Sequence, residues 1–323
     1  MIIVTGGAGF IGSAFVWKLN SEGIDDILIV DALGETEKWK NLVNRRYIDF
    51  MHKDVFLDRI MSSKSFADAR AVIHMGACSS TTERDADYLM ENNHHYSCLL
   101  AEWALSKKVR FIYASSAATY GDGSQGFSDD DAVTPTLRPI NMYGYSKQLT
   151  DLWMLRRRAG EKCAGIKFFN VFGPNEYHKG DMTSVIFKAV HQIKKTGKVR
   201  LFKSYKPEYG DGEQRRDFVY VKDCMDILWW LLENPNANGI FNLGTGQSRT
   251  WNDLIKAVFA AMKRKPRIEY FDMPPEIRDQ YQYLTEAKMD KLRKTGCPVK
   301  FNPLEETVRD YVVNHLQKSD PYL

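Results

Sequence analysis

Met1-Ile2-Ile3-Val4-Thr5-Gly6-Gly7-Ala8-Gly9-Phe10-Ile11-Gly12 opens the chain, and its reading decides the fold. Residues 2–5 are a short apolar run with the character of a buried strand, and residues 10–20 have the length and periodicity of a helix. Between them, glycines recur as G-x-x-G-x-x-G at Gly6, Gly9 and Gly12. Glycine is needed there because Cβ atoms would block the tight turn and hold the backbone away from a pyrophosphate. The following helix N-terminus then offers free N–H groups and a positive dipole end to phosphates. A glycine turn alone also serves ordinary strand–helix packing. Here a strand before it, a helix after it and Asp31 at the end of the next apolar run (residues 26–30) agree on dinucleotide binding. The loop contributes Gly6, Gly9, Phe10, Ile11 and Gly12.

Outward from that loop, short apolar runs alternate with longer amphipathic ones. Residues 71–75, 111–115 and 166–170 read as further strands, residues 85–106 and 145–159 as helices, and residues 239–244 as one more strand. Strands alternating with helices predict an α/β fold, a doubly wound parallel Rossmann sheet with right-handed crossovers. Residues 173–216 change texture, with prolines, glycines and scattered lysines, and the last third carries helical patterns and a Met273-Pro274-Pro275 link. The expected organisation is a dinucleotide-binding domain of residues 1–172 and 217–250. A smaller discontinuous α/β substrate lobe takes residues 173–216 and 251–323.

The 323-residue length suits two domains, and 44% apolar with 27% charged residues excludes disordered, collagen-like and disulfide-stapled classes. Lys plus Arg at 45 against Asp plus Glu at 41 leaves +4, too small an excess for a nucleic-acid footprint. Five cysteines (Cys78, Cys98, Cys163, Cys224, Cys297) make no C-x-x-C pair and read as free thiols in a reducing cytoplasm. No leader-like segment and no apolar run near the roughly 20 residues of a membrane span is present, so no membrane partner is expected.

Tyr143-Gly144-Tyr145-Ser146-Lys147 places a phenol and an ammonium four residues apart at the start of a predicted helix, on one face. A neighbouring ammonium favours phenolate, so Lys147 is expected to lower the Tyr143 pKa and fit it for acid–base work. Ser116, in the Ser-rich end of the preceding strand, lies at the carboxyl edge where doubly wound sheets bind ligands, within reach of a substrate hydroxyl. Together these describe hydride transfer on a secondary alcohol. For the cofactor, Asp31 favours a free ribose hydroxyl and hence NAD, whereas Lys38, Lys40 and Lys53 are placed to neutralise the 2′-phosphate of NADP; the residues alone leave both open. No His/Cys/carboxylate cluster has metal spacing, so no metal is expected, and His94 and His95 read as packing or surface residues.

In order, Thr5 to Gly12, Ser116, Tyr143/Lys147, Arg216-Asp217-Phe218-Val219-Tyr220-Val221 and Phe241-Asn242-Leu243-Gly244-Thr245-Gly246 resemble the extended short-chain dehydrogenase/reductase superfamily and its NAD-dependent epimerase/dehydratase family over nearly the whole chain. The resemblance implies a nucleotide-sugar substrate. Dehydratases of this group carry an Asp-Glu pair after the Ser/Thr, where this chain has Ala117 and Ala118, which favours a redox-neutral epimerase.

Three segments, residues 76–83, residues 115–121 and His178-Lys179-Gly180, resemble the epimerases that invert C6 of the heptose in ADP-heptose, a lipopolysaccharide precursor. That resemblance implies tightly held NADP, with Lys38 and Lys53 at the 2′-phosphate. Ala32 stands where an Asn is common. It also implies Met75, Gly76, Ala77, Cys78, Ser79, Asn92, Lys147 and Val171 around the cofactor, and Asn170, Asp181 and Lys188 around the substrate. Arg216 would grip the diphosphate with its planar fork. Phe202, Lys203, Ser204, Tyr205 and Tyr281 would line the nucleotide end, although Phe202 and Tyr281 suit a lobe core equally. Lys179 is implied as a second acid/base beside Tyr143, for which burial must lower its pKa; the alternative reading is a phosphate or sugar contact in a basic loop. The implied assembly is a homo-oligomer, a pentamer in the best-known form. A UDP-hexose 4-epimerase is the nearest alternative, and a non-catalytic dinucleotide sensor on the same fold is the alternative from another class.

Overall fold

The computed structural model describes residues 1–62, 66, 68–159, 162–278 and 281–323. The main sheet is built from β1 (Ile2–Thr5), β2 (Ile27–Asp31), β3 (Asp49–His52), β4 (Ala71–His74), β5 (Arg110–Ser116) and β6 (Cys163–Phe168), and is completed by the later β11 (Gly239–Leu243). All seven strands are parallel in the order β11-β6-β5-β4-β1-β2-β3. The order reverses between β1 and β4, and doubly wound sheets open a ligand crevice at that point.

Both faces of the sheet are covered, so the strands read as continuous apolar runs instead of alternating ones. Ile2, Val4, Ile27, Ile29 and Ile73 pack with Phe15, Leu19, Leu228 and Leu231 of α1 (Phe10–Ser21) and α7 (Val221–Glu233) on one face. Ile3, Leu28, Val30 and Val72 pack on the other with Phe56 of α2 (Lys53–Met61) and Leu100 and Trp103 of α4 (Tyr96–Ser106). The helix expected over residues 85–106 is not uniform. It runs as α3 (Ala86–Leu89), a π-helical turn Met90–His95 and then α4. The catalytic-type helix is α5 (Met142–Arg156), capped by the Asn141 side chain accepting from the Gly144 N–H at 2.8 Å.

Two differences from expectation follow from backbone pairing. The single strand expected over residues 166–170 breaks at Phe169, whose N–H donates to the Leu243 carbonyl. β6 stays in the main sheet, while β7 (Asn170–Phe172) turns out to pair with β10 (Phe218–Tyr220). The edge strand β3 was not foreseen: its half-exposed Asp-Phe-Met-His lacks the apolar run that marks a central strand.

The rest carries α6 (Val185–Thr196), β8 (Val199–Phe202), β9 (Arg215–Arg216), β12 (Arg249–Thr250), α8 (Trp251–Ala261), β13 (Ile268–Phe271) and the short helices α9 (Pro275–Arg278), α10 (Asp290–Lys294) and α11 (Leu304–Tyr311). We propose the division into a cofactor domain of residues 1–172 and 217–250 and a lobe of residues 173–216 and 251–323. It is supported by the β8–β13 pair, which lies wholly within the second set. Among the described residues no helix is long and apolar enough to cross a membrane.

Candidate active site

The phosphate loop is shaped by backbone contact. Gly6 sits at φ +65°, and a Cβ there would lie 2.5 Å from the Gly76 nitrogen, so the β1 and β4 loops approach as closely as their backbones allow. A Cβ on Gly12 would lie 2.1 Å from the Gly6 carbonyl oxygen. α1 starts at Phe10 with no side chain capping its first turn, which leaves the N–H groups that a diphosphate uses at a helix start. This bare, side-chain-free cradle fits a dinucleotide.

Beside it lies Asp31, buried at the carboxyl end of β2. One of its oxygens accepts the Ala8 N–H at 2.9 Å; the other accepts the Ala32 N–H at 2.7 Å and the Lys38 ammonium at 2.7 Å. β2 and β3 are in register at Asp31 and His52, so Lys53 follows at the same sheet edge, paired with Asp54 at 2.9 Å and over the Tyr96 ring.

Above the switch point one cavity of about 750 Å³ collects Gly6, Gly9, Phe10, Ile11, Gly12, Asp31, Ala32, Lys38, Met75, Gly76, Ala77, Ser79, Ser116, Tyr143, Lys147, Asn170, Val171 and Lys179. Lys147 is only 2% exposed and donates to the Ala114 carbonyl at 2.8 Å. Burial pulls its pKa down to about 8, opposed by Asp151 one turn along α5. Tyr143 departs from expectation: desolvation pushes the phenol up, and the hydrogen bond with Ser116 only opposes it. Lys147, whose ammonium donates to the Ala114 carbonyl, does not offset that desolvation. Ser116 meanwhile accepts the Ala118 N–H at 3.1 Å, which fixes its hydroxyl at the strand end.

Lys179 comes from a different part of the chain, the turn Tyr177–Met182, and its ammonium sits 5.2 Å above the Phe10 ring. Desolvation lowers its pKa, with the Glu176 charge opposing. The adjacent His178, also on the cavity wall, is held neutral with its pKa pulled to about 4 by burial and by Lys38 and Lys179.

The remaining residues singled out from sequence lie off that wall. Cys78 sits between Ala77 and Ser79, its N–H donated to the Asn93 carboxamide oxygen at 2.8 Å. Asn92 donates to the same oxygen at 3.1 Å. The Asp181 carbonyl accepts the Lys188 ammonium at 2.6 Å. Arg216 stacks over Tyr281 and Trp251, and the Trp251 N–H donates to the Tyr281 hydroxyl at 3.0 Å. Phe202 meets the Tyr281 ring edge-on at 6.3 Å. Lys203 and Tyr205 both reach Asp272, and the Ser204 hydroxyl donates to the Lys206 carbonyl. This second group joins the first through Trp251, which lines the cavity.

Sequence reading passed over Trp251, Gln282 and Thr285 on the wall, and the buried Asn41, Asn93 and Glu176 behind it. Only His178 had a usable signal, as the neighbour of Lys179 in its motif. Asn41 donates to the Ala8 carbonyl 33 residues before it and to the Asn175 carbonyl 134 residues after it, which no local pattern encodes.

A glycine cradle at the switch point of a parallel sheet, with serine, tyrosine and lysine around one cavity, defines a Rossmann-type enzyme that works through a nicotinamide dinucleotide. Residues 2–244 match the NAD dependent epimerase/dehydratase family, and the chain belongs to that family. It is 62% identical over 323 residues to a Nitratidesulfovibrio vulgaris (strain DP4) protein named ADP-L-glycero-D-manno-heptose-6-epimerase, covering 100% of each chain. A Fusobacterium nucleatum protein of the same name is 49% identical over 334 residues, again with 100% of each covered. The crystal structure of the Helicobacter pylori ADP-L-glycero-D-manno-heptose-6-epimerase superposes with a TM-score of 0.80 at 25% identity, over 97% of this chain and 95% of that one.

Proposed function

We propose that the protein inverts C6 of the heptose in ADP-D-glycero-D-manno-heptose, giving the L-glycero epimer, with a tightly held NADP. The observation that carries this is that Tyr143 and Lys179, two proton-carrying groups from separate segments, line one cavity. The full-length relatives of that name support the substrate. When bound, the nicotinamide would take hydride from C6 and return it to the opposite face of the ketone. If the carbonyl then points its oxygen in two directions, a proton carrier on each side serves the two half-reactions. We assign those roles to Tyr143 and Lys179. Ser116 holds the reacting oxygen by hydrogen bonding, and Lys147 orients the site with its charge. Ala117 and Ala118 leave no acid–base pair for eliminating water next to Ser116.

For NADP, support comes from the Lys38–Asp31 pair: the carboxylate is neutralised and committed to Ala8, Ala32 and Lys38, so it is poorly suited to a ribose hydroxyl. Lys53 at the same edge adds a second cation. The sugar-nucleotide contacts assigned to Asn170, Asp181, Lys188, Phe202, Lys203, Ser204, Tyr205, Arg216 and Tyr281 belong to the proposal as well. So do a cytoplasmic site of lipopolysaccharide-precursor synthesis and a pentameric homo-oligomer, all carried by the resemblance.

Incubating the purified protein with ADP-D-glycero-D-manno-heptose and resolving the C6 epimers tests the activity; no conversion by protein that carries cofactor refutes it, and conversion of a UDP-hexose at C4 would replace it. Denaturing the protein and weighing the released cofactor tests NADP, and NAD alone overturns it. Tyr143→Phe and Lys179→Met should each lose activity by orders of magnitude while keeping cofactor. If Lys179→Met alters only KM, a single proton carrier is the better mechanism.

A further inference from the structure

Glu176 lies three residues before Lys179 and is completely buried, and none of the roles above uses it. One carboxylate oxygen accepts the Ser184 N–H at 2.6 Å; the other accepts the Ser184 hydroxyl at 2.6 Å and the Tyr311 hydroxyl at 2.8 Å. Its own carbonyl accepts the Lys179 N–H at 3.0 Å. One residue therefore closes the turn that carries Lys179 with its backbone and fastens that turn to the starts of α6 and the end of α11 with its side chain. Burial pushes the Glu176 pKa up, while the three donors and Lys179 favour the carboxylate. Removing any negative charge from water is costly, so its retention at this depth calls for a partner.

The charged and titratable groups around Lys179 can be named. Glu176 and His178 share its turn, and Lys38 and Asp31 act on His178 from the segment after β2. Tyr143 and Lys147 line the same cavity from α5. Of these, Glu176 is the charge that acts on Lys179.

We propose that Glu176 is the positioning residue of Lys179: its carboxylate pins residues 176–180 against α6 and α11 and sets a buried negative charge three residues before the Lys179 ammonium. The role rests on Lys179 being a proton carrier. Glu176→Gln keeps the shape and most hydrogen-bonding capacity but deletes the charge, so Lys179 gives up its proton more readily.

The test is acetylation of the purified protein, with its own cofactor, by acetic anhydride over a pH series, the Lys179 midpoint being read by peptide mass spectrometry. In Glu176→Gln the midpoint should fall by about one unit, Glu176→Asp should restore most of it, and the pH limb of kcat should move with it. An unchanged midpoint in folded Glu176→Gln overturns the proposal. A midpoint that falls while the kcat limb stays in place upholds the Glu176–Lys179 coupling and overturns Lys179 as a proton carrier. Should Glu176→Gln not fold, the wild-type protein with ¹³C-dimethylated lysines serves instead. The Lys179 signal, assigned by its loss in Lys179→Arg, should show a second, acidic step as Glu176 takes up a proton, and its absence overturns the proposal equally.

Discussion

Replacing Lys147 by methionine separates what the ammonium does for chemistry from what it does for the fold. The residue is 2% exposed, and burial takes its pKa from the ordinary 10.5 down to about 8. That difference is about 2.5 units, so at roughly 1.4 kcal/mol per unit holding the charge costs the fold about 3 kcal/mol at neutral pH. Opposing it is the charged hydrogen bond to the Ala114 carbonyl at 2.8 Å, worth about 1.5–3 kcal/mol. The two nearly cancel. Lys147→Met should therefore shift unfolding stability by about 2 kcal/mol or less at neutral pH while epimerisation drops about a hundredfold or more.

The pH dependence carries the sign. Between about pH 8 and 10.5 the folded lysine has released its proton and the unfolded one has not. The unfolded chain binds more protons there, so wild-type stability rises with pH relative to the variant, by up to about 3 kcal/mol. Guanidinium unfolding of both proteins at neutral and at about pH 10 reads this directly. A loss exceeding about 3 kcal/mol at neutral pH, or a difference that does not change with pH, refutes the reasoning.

Behind the site, Lys167 and Asp151 form an ion pair at 2.7 Å with neither side chain exposed. Lys167→Met strands the carboxylate with only Tyr113 and Ser115 as donors and should cost about 3–5 kcal/mol in denaturant unfolding, with Lys167→Met/Asp151→Leu recovering much of it. Gly12→Ala puts a methyl where the Gly6 carbonyl stands 2.1 Å away, so the loop must open; the purified variant should contain no dinucleotide by absorbance and mass. Lys38→Gln frees Asp31 from its cation and should lower affinity for NADP relative to NAD by about ten- to a hundredfold in titration calorimetry.

How far the sequence carries depends on whether a feature is local. β1, the glycine turn and α1 are one contiguous stretch, and their boundaries agree with expectation to within a residue. The Tyr143–Lys147 spacing likewise needs only one turn of helix. β3 was missed because an exposed edge strand buries too little to leave a pattern, and the strand expected over residues 166–170 instead spans Cys163–Phe168, because its break at Phe169 is set by hydrogen bonds to Leu243 and Asp217. Asn41, Asn93 and Glu176 gain their meaning from partners far along the chain, and a buried asparagine looks like any other in one dimension. The direction of the Tyr143 shift also went wrong for a tertiary reason: a lysine four residues away fixes proximity, but the cost of desolvating both groups depends on what covers them.

That cost also separates the two groups proposed as proton carriers. Burial penalises whichever form is charged, so it raises a phenol and lowers an amine. Tyr143 is pushed toward its neutral, proton-donating form and Lys179 toward its neutral, proton-accepting form by the same desolvation. A neutral amine can take the proton from a sugar hydroxyl as the ketone forms, and a neutral phenol can give one to the ketone oxygen when it is reduced from the other face. One turnover leaves the amine charged and the phenol ionised, and either the reverse reaction or exchange with solvent restores them. A site with tyrosine alone would have to perform both transfers from one position, which inversion forbids if the oxygen changes sides. At Lys179 the negative charge of Glu176 opposes that desolvation.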